Sequence, residues 1–353
     1  MKEAGYGALA CTDGGNVNSA LGFSRGFDIY AEAGAEQFFG LVGLRPREPW
    51  FAFLHTYFVH DPYIVPNPFC RFFDRDYAGG IKGSLESYGN VTTTLGLYSL
   101  RKEFWETVDF SDKRDRRHLL NLNDSSIRIV DTSLQALVNR LDELGLKDNT
   151  IMIITSDHGE EFFEHSRILH ERLYNETLSV PLIVIDFRKE DVHSRLIETQ
   201  VRLLDLAPTI LDYLGLPPLP GAQGVSLVTG LDGGQLKAQV VHALAPSPYR
   251  SRMTGKESWK YIYNPNKAPP NTDAWVLGLP RPVVLEEELY NTDIDPGEKV
   301  NLAEVQPDIL EEMRGLSAVH HNEMAALAGQ ITQETTQVDE SVMRQLQALG
   351  YVE

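Results

Sequence analysis

Cysteine is nearly absent from this chain: two residues in 353, Cys11 and Cys70. Two cannot build a disulfide framework, and a chain of this length needs none because it can bury a large apolar core. Long apolar runs are missing as well. No stretch approaches the roughly 18 residues that span a bilayer, and the first residues lack the charged and apolar regions of a signal peptide, so no transmembrane segment is expected and the compartment stays open. Basic residues are outnumbered, 32 Lys and Arg against 50 Asp and Glu, for a net charge of −18. Long-range repulsion therefore opposes nucleic acid and anionic membranes as partners. What is present is a large globular piece, 42% hydrophobic, enough for one big domain and a smaller one.

Strand and helix patterns alternate along it. Pro49 to His55 reads as a buried strand ending in a His-rich loop, where Pro62, Pro66 and Pro68 forbid further pairing. Phe69 to Phe110 has no clear period and reads as an irregular, partly helical excursion. From Ser125 to Leu144 the apolar residues Ile127, Val130, Leu134, Leu137, Val138, Leu141 and Leu144 form a helical stripe, and Gly145 supplies the stop. Asp131 interrupts that stripe and is expected to be a hydrogen-bonded structural carboxylate. A strand from Thr150 follows, so helix then strand makes half of a parallel crossover unit. Val180 to Ile185 reads as another short strand, and Pro208 sits early in a helix that closes at Gly215. Beyond the Gly-rich 230–234 segment, Gln239–Ala243, Trp259–Tyr263 and Glu288–Tyr290 read as strands of an antiparallel sheet, followed by a helix from Glu311 to Gly329. Val342, Met343, Leu346 and Leu349 give a helical pattern to the tail. The expected division is a domain over 1–232, a small subdomain over 233–329, and a tail over 330–353 that docks on the body.

The run from Thr150 to Glu161 carries the most chemistry. An apolar, β-branched strand empties directly into Asp157, His158 and Gly159, and in open α/β sheets ligands bind beyond the carboxyl ends of strands. A carboxylate oxygen beside an imidazole nitrogen suits a divalent cation, and Gly159 lets the backbone swing sharply away. The competing reading is an ordinary strand exit with a capped turn. His60, before Asp61-Pro62-Tyr63, has a side chain whose pKa near neutrality suits proton transfer, or it caps a Pro-rich turn. His55 reads as a packed core residue and His165 as a loop histidine. Glu160, Glu161 and Glu164 read as a solvated acidic loop, with Glu160 able to orient the ligands beside it.

Taken together these segments resemble the sulfatase family of the alkaline-phosphatase superfamily. The likeness rests on Asp157-His158-Gly159, on Phe53 to Tyr63, and on His165 with Ile168 to Ile185; it continues through Lys2 to Tyr6, Gly22 to Asp28 and Asp205 to Leu211. Leu289-Tyr290-Asn291, Asp295 to Glu298, Asn301-Leu302 and the closing Leu349-Gly350-Tyr351 complete it. The resemblance implies a mostly parallel α/β sheet flanked by helices, with a smaller carboxyl-terminal antiparallel sheet plus helix. It also implies hydrolysis of small-molecule or carbohydrate sulfate esters, with Asp157 and His158 as metal ligands, His60 protonating the departing alkoxide and His170 contacting the sulfate oxygens. Calcium is common in the family; the imidazole of His158 shifts the expected metal toward manganese, magnesium or zinc.

The family's Cys/Ser-x-Pro-x-Arg box, whose first residue becomes formylglycine, does not occur in these 353 residues. Neither Cys11, in Cys-Thr-Asp-Gly-Gly, nor Cys70, in Cys-Arg-Phe-Phe-Asp, matches it, and Ser247-Pro248 is a poor candidate. The expectation is a chain corresponding to the back part of a sulfatase-like hydrolase. Formylglycine and the first Asp ligands would lie in the missing front, and a chain missing an early central strand would be metastable, aggregation-prone or paired with another copy. The alternatives are a non-catalytic relative that binds anions or a partner, and a phosphate or phosphonate ester hydrolase of the same superfamily.

Overall fold

Gly7–Thr12 forms a strand (β1) in which all six residues are buried. It is the middle of a three-stranded parallel sheet, flanked by β2 (Ile29–Glu32) and β3 (Trp50–Leu54), with Leu9 opposite both Ile29 and Ala52. A strand covered on both faces reads as a continuous run of small and apolar side chains without alternation, which is why β1 escapes a search for β-branched periodicity. The structure is a computed structural model describing residues 1–32, 43, 48–89, 96, 99–189, 194–245, 250–267, 283–329, 340, 342, 343 and 346. Ser247, Pro248, Leu349, Gly350 and Tyr351 lie outside the described residues. The chain divides into two compact units, 1–150 with 187–189 and 334–353, and 151–186 with 190–333.

In the first unit, helices α1 (Arg101–Glu106) and α2 (Lys113–Glu143) follow the sheet. The Asp112 side chain accepts from the Arg114 amide at 2.7 Å and caps α2, so the helix starts twelve residues before the apolar stripe does. Its buried side includes His118, Leu119, Leu122, Leu137 and Leu141, whereas Ile127, assigned to the stripe, is exposed. Asp131 is also a surface residue, paired with Arg128 at 2.7 Å, so it is not the buried structural carboxylate expected. The irregular excursion is pinned to α2: Tyr77 stacks on His118 at 3.5 Å and donates to Asp115 at 2.7 Å, while Asp74 meets His118 Nδ1 at 3.2 Å. In the tail, Val342 and Leu346 are buried.

The second unit opens with β4 (Ile151–Thr155), then β5 (Glu161–Phe162), β6 (Ile168–Leu169), the single helical turn α3 (Asn175–Leu178) and β7 (Leu182–Asp186). β4 pairs antiparallel with β7, Ile151 opposite Asp186, where helix-then-strand order led to a parallel expectation. The intervening segment returns beside its own strand as a local hairpin, which needs no crossover. Helices α4 (Leu206–Tyr213) and α5 (Val228–Leu231) lead to the antiparallel sheet of β8 (Val241–Leu244), β9 (Arg252–Lys256), β10 (Trp259–Tyr263) and β11 (Glu287–Asn291), in the order β11-β10-β9-β8. Helix α6 (Pro307–Ala328) follows, with Pro307 in its first turn, and packs Met313 against Tyr261 and Leu289. Full burial of a side chain such as Met313 contributes about 1.5–3 kcal/mol. Among the described residues, no helix is long and apolar enough to cross a membrane.

Candidate active site

Beyond Thr155 the chain turns at once, and polar contacts hold the turn. Thr155 Oγ1 donates to the Pro181 carbonyl at 2.8 Å and Ser156 Oγ to the His158 carbonyl at 2.7 Å. Asp157 Oδ1 accepts from the His158 amide at 3.0 Å, which leaves Oδ2 3.9 Å from His158 Nε2. His158 Nδ1 lies 3.0 Å from the Gly159 carbonyl. A carbonyl can only accept, so Nδ1 carries the proton and the lone pair of the neutral ring sits on Nε2. Burial, aided by the neighbouring His170, holds His158 below the ordinary imidazole range and so favours that neutral ring. Asp157 is 70% exposed at its side chain, as a carboxylate waiting at a strand mouth should be. This donor pair, one hard oxygen and one oriented imidazole nitrogen, fits a divalent cation.

Gly159 has a role other than the one its sequence context suggested. Its φ is not among the positive ones, but a Cβ placed there would come 2.1 Å from the Glu176 carbonyl oxygen. The backbone passes so close because the Gly159 amide donates to the Thr177 carbonyl at 2.8 Å. The turn is thereby stitched to α3.

The hairpin of β5 and β6 then brings His170 back. Its ring lies 4.1 Å from that of His158 at 28°, and its Nδ1 meets Glu160 Oε1 at 3.0 Å. Phe163, Ser166 and Leu169 all have positive φ, with Leu169 at 72° immediately before His170, so this hairpin holds strained backbone next to a candidate site residue. His165 is stacked on Tyr174 at 3.6 Å with its Nε2 3.4 Å from Glu176 Oε2. His165, Glu176 and Glu298 offer ligand atoms close to one another, yet the ammonium of Lys260, 2.7 Å from Glu298 Oε1, already supplies the cation there. Within that second cluster Glu298 is thus ion-paired with Lys260.

The acidic loop is only partly solvated: Glu164 is exposed, as its composition implied, whereas Glu160 and Glu161 are drawn in. Glu160 is turned onto His170, and Glu161 is 1% exposed with neither carboxylate oxygen hydrogen-bonded among the described residues. Burial pushes Glu161 up to about 8 despite the Arg172 guanidinium. Pairing of β5 with β6 forces alternate side chains to opposite faces and takes Glu161 inward.

His60 and His55 belong to the first unit. His55 is partly buried, its ring edge-on to Tyr57 at 4.7 Å, as a packed residue should be. His60 is buried, and its Nδ1 lies 2.8 Å from the Asp61 carbonyl. Asp61 itself is fully buried and accepts from Arg101 Nε at 2.6 Å and Trp105 Nε1 at 3.0 Å. Burial alone would raise its pKa, but Arg101 and His60 outweigh burial and hold it well below the usual carboxylate range. Nothing in the sequence linked Asp61 to Arg101, forty residues away. Neither cysteine is placed as a nucleophile: Cys11 is inside β1, and Cys70 donates to Asn67 Oδ1 at 2.7 Å with its thiol pKa pushed up by burial.

The model of the family described as Sulfatase matches residues 24–216, more than half of the chain. The chain belongs to the sulfatase family. Arylsulfatase K of Mus musculus is 26% identical over 261 residues, which is 64% of this chain and 44% of that protein, so the chain spans less than half the length of this relative. Among solved structures, a 2-O GAG sulfatase superposes with a TM-score of 0.64 at 20% identity, covering 97% of this chain and 76% of that one. The phosphonate monoester hydrolase of Agrobacterium radiobacter does so with 0.56 at 22%, covering 84% and 60%. Both are likenesses of fold, and the α/β architecture is that of the sulfatases. In this sulfatase chain, the family match includes the segments bearing His60, Asp157, His158 and His170.

Proposed function

We propose that this chain serves the metal-assisted hydrolysis of sulfuric esters, carried on small molecules or carbohydrates, with Asp157 and His158 as the cation ligands. The observation that carries the reading is the pair at the mouth of β4: Asp157 Oδ2 3.9 Å from His158 Nε2, with His158 Nδ1 fixed on a carbonyl. A divalent ion bound by that pair supplies charge neutralisation at the ester oxygens. An imidazole donor favours zinc, or another transition ion such as manganese, over calcium. His170 is the contact to the transferred group. His60 protonates the departing alkoxide: with Nδ1 committed to the Asp61 carbonyl, Nε2 is the nitrogen that exchanges a proton.

Titration calorimetry of the chain with Mn²⁺, Zn²⁺ and Ca²⁺ tests the ligand assignment. Asp157→Asn and His158→Ala are each expected to weaken binding at least tenfold with the fold intact; unchanged metal content in His158→Ala removes it from the ligand set. The imidazole donor also favours a second reading, hydrolysis of phosphonate monoesters on the same residues. Comparison of aryl sulfate with phenylphosphonate monoester turnover by the protein containing this chain separates the two.

A further inference from the structure

Two elements hold His60: its own turn and, through Asp61, helix α1. The His60 amide donates to the Tyr57 carbonyl at 2.8 Å, and its ring stands edge-on to that of Tyr57 at 5.6 Å and 85°, which sets the ring plane. Its Nδ1 lies 2.8 Å from the Asp61 carbonyl and 3.2 Å from Asp61 Oδ1. A carbonyl and a carboxylate can only accept, so main chain and side chain of Asp61 together call for a proton on Nδ1. The carboxylate is aimed there because its other oxygen is taken: Oδ2 accepts from Arg101 Nε at 2.6 Å and from Trp105 Nε1 at 3.0 Å. Those two donors stand one helical turn apart on α1, and so reach the same oxygen. An aromatic frame keeps α1 in place, with Trp105 meeting Tyr63 at 5.9 Å, Phe104 at 5.1 Å and Phe110 at 6.0 Å.

We infer that Arg101 and Trp105 are positioning residues for proton transfer: acting through Asp61, they hold His60 in the Nδ1–H tautomer, so that Nε2 is the nitrogen that gives the proton. When Nε2 passes its proton to the departing alkoxide, the N–H electron pair stays on Nε2. The ring is left in the neutral Nδ1–H form that Asp61 already binds. Neutral histidine in water prefers the other tautomer, so the clamp stabilises the product of the transfer and fixes the direction of the ring. The inference rests on the proposed role of His60 at the departing group.

The test has two readouts. In the full chain labelled with nitrogen-15 histidine, the ring signals of His60, assigned by their loss in His60→Gln, should report the Nδ1–H tautomer at alkaline pH. Trp105→Phe keeps a ring and removes one donor; Arg101→Lys keeps the charge and loses the fixed guanidinium plane. Each should raise the Nε2–H population roughly threefold. In the protein containing this chain, both variants should slow an alkyl sulfate about tenfold and 4-nitrophenyl sulfate, whose phenolate leaves without a proton, by less than about twofold. His60 in the Nε2–H form in the unaltered chain, or an unchanged leaving-group dependence in both variants, overturns the inference. His60→Gln separates the two levels. If it slows the alkyl sulfate selectively while the Arg101 and Trp105 variants do not, the role of His60 stands and the positioning falls; if it slows both esters equally, or neither ester is turned over, the underlying reading falls too.

Discussion

Lys260 Nζ lies 2.7 Å from Glu298 Oε1, and both residues are buried, at 4% and 1% exposure. The ammonium also donates to Asn175 Oδ1 at 2.9 Å, and Glu298 Oε2 accepts from the Asn175 amide at 2.6 Å. A strand of the antiparallel sheet, the turn after β11 and the first residue of α3 are thus joined through three side chains. Burial pushes Lys260 down and Glu298 up, so each charged form depends on the other. Removing one partner of such a pair strands the other.

Lys260→Met is therefore expected to cost about 3–5 kcal/mol of unfolding free energy in urea at pH 7. Lys260→Met combined with Glu298→Gln should recover much of that loss, since no uncompensated charge remains. A double variant as unstable as the single one would show that the ion pair is not what Lys260 contributes.

Gly159→Ala places a methyl carbon against the Glu176 carbonyl, 2.1 Å from its oxygen before relaxation. The expected cost is about 1–3 kcal/mol from backbone displacement. Because Asp157 and His158 ride on the same turn, Mn²⁺ affinity should fall with it. Native stability and native Mn²⁺ affinity together would contradict this close approach.

Glu161 sets a pH dependence of definite sign. Its folded pKa of about 8 lies above the ordinary 4.5 because burial disfavours the carboxylate. Between those pH values the unfolded chain has released a proton that the folded chain keeps, so stability falls as pH rises from about 4.5 to 8. Glu161→Gln should flatten that slope, leaving stability near pH 4.5 little changed and raising it at pH 8 by about 1–3 kcal/mol. Urea melts at the two pH values are the measurement.

His165 and His242 act in the opposite direction. Burial lowers both to about 4, with the charges of Lys299 and Arg172 adding to the effect on His165 and that of His320 on His242. Below 6.5 the unfolded imidazoles take up protons that the folded ones refuse, so stability is lost as pH falls from about 6.5 through 4. His165→Phe keeps a ring on Tyr174 and cannot titrate. It should lose about 1–3 kcal/mol less than the unaltered chain between pH 6.5 and 4 in the same melts, and an equal loss would remove His165 from the acid response.

Strands and helices with strong periods were legible from residue order alone. Trp259–Tyr263 occupies the expected span, and the strand into Asp157, the one before the His-rich loop and the helix ending at Gly145 are all present, because hydrophobic period and Gly or Pro punctuation act locally. β1 was not legible, since full burial on both faces erases the alternation that marks a strand.

The amino-acid sequence by itself determined the family and the alternation of elements, and it singled out Asp157, His158, His60 and His170 as candidates, because side-chain chemistry and local period need no partner to be read. Only the tertiary structure decided that Glu160 backs His170, that Glu161 is taken inward instead of facing water, that Arg101 holds Asp61, and that Lys260 answers Glu298. Each of those outcomes depends on which charge lies within a few ångströms in a desolvated place, and chain order does not encode that distance.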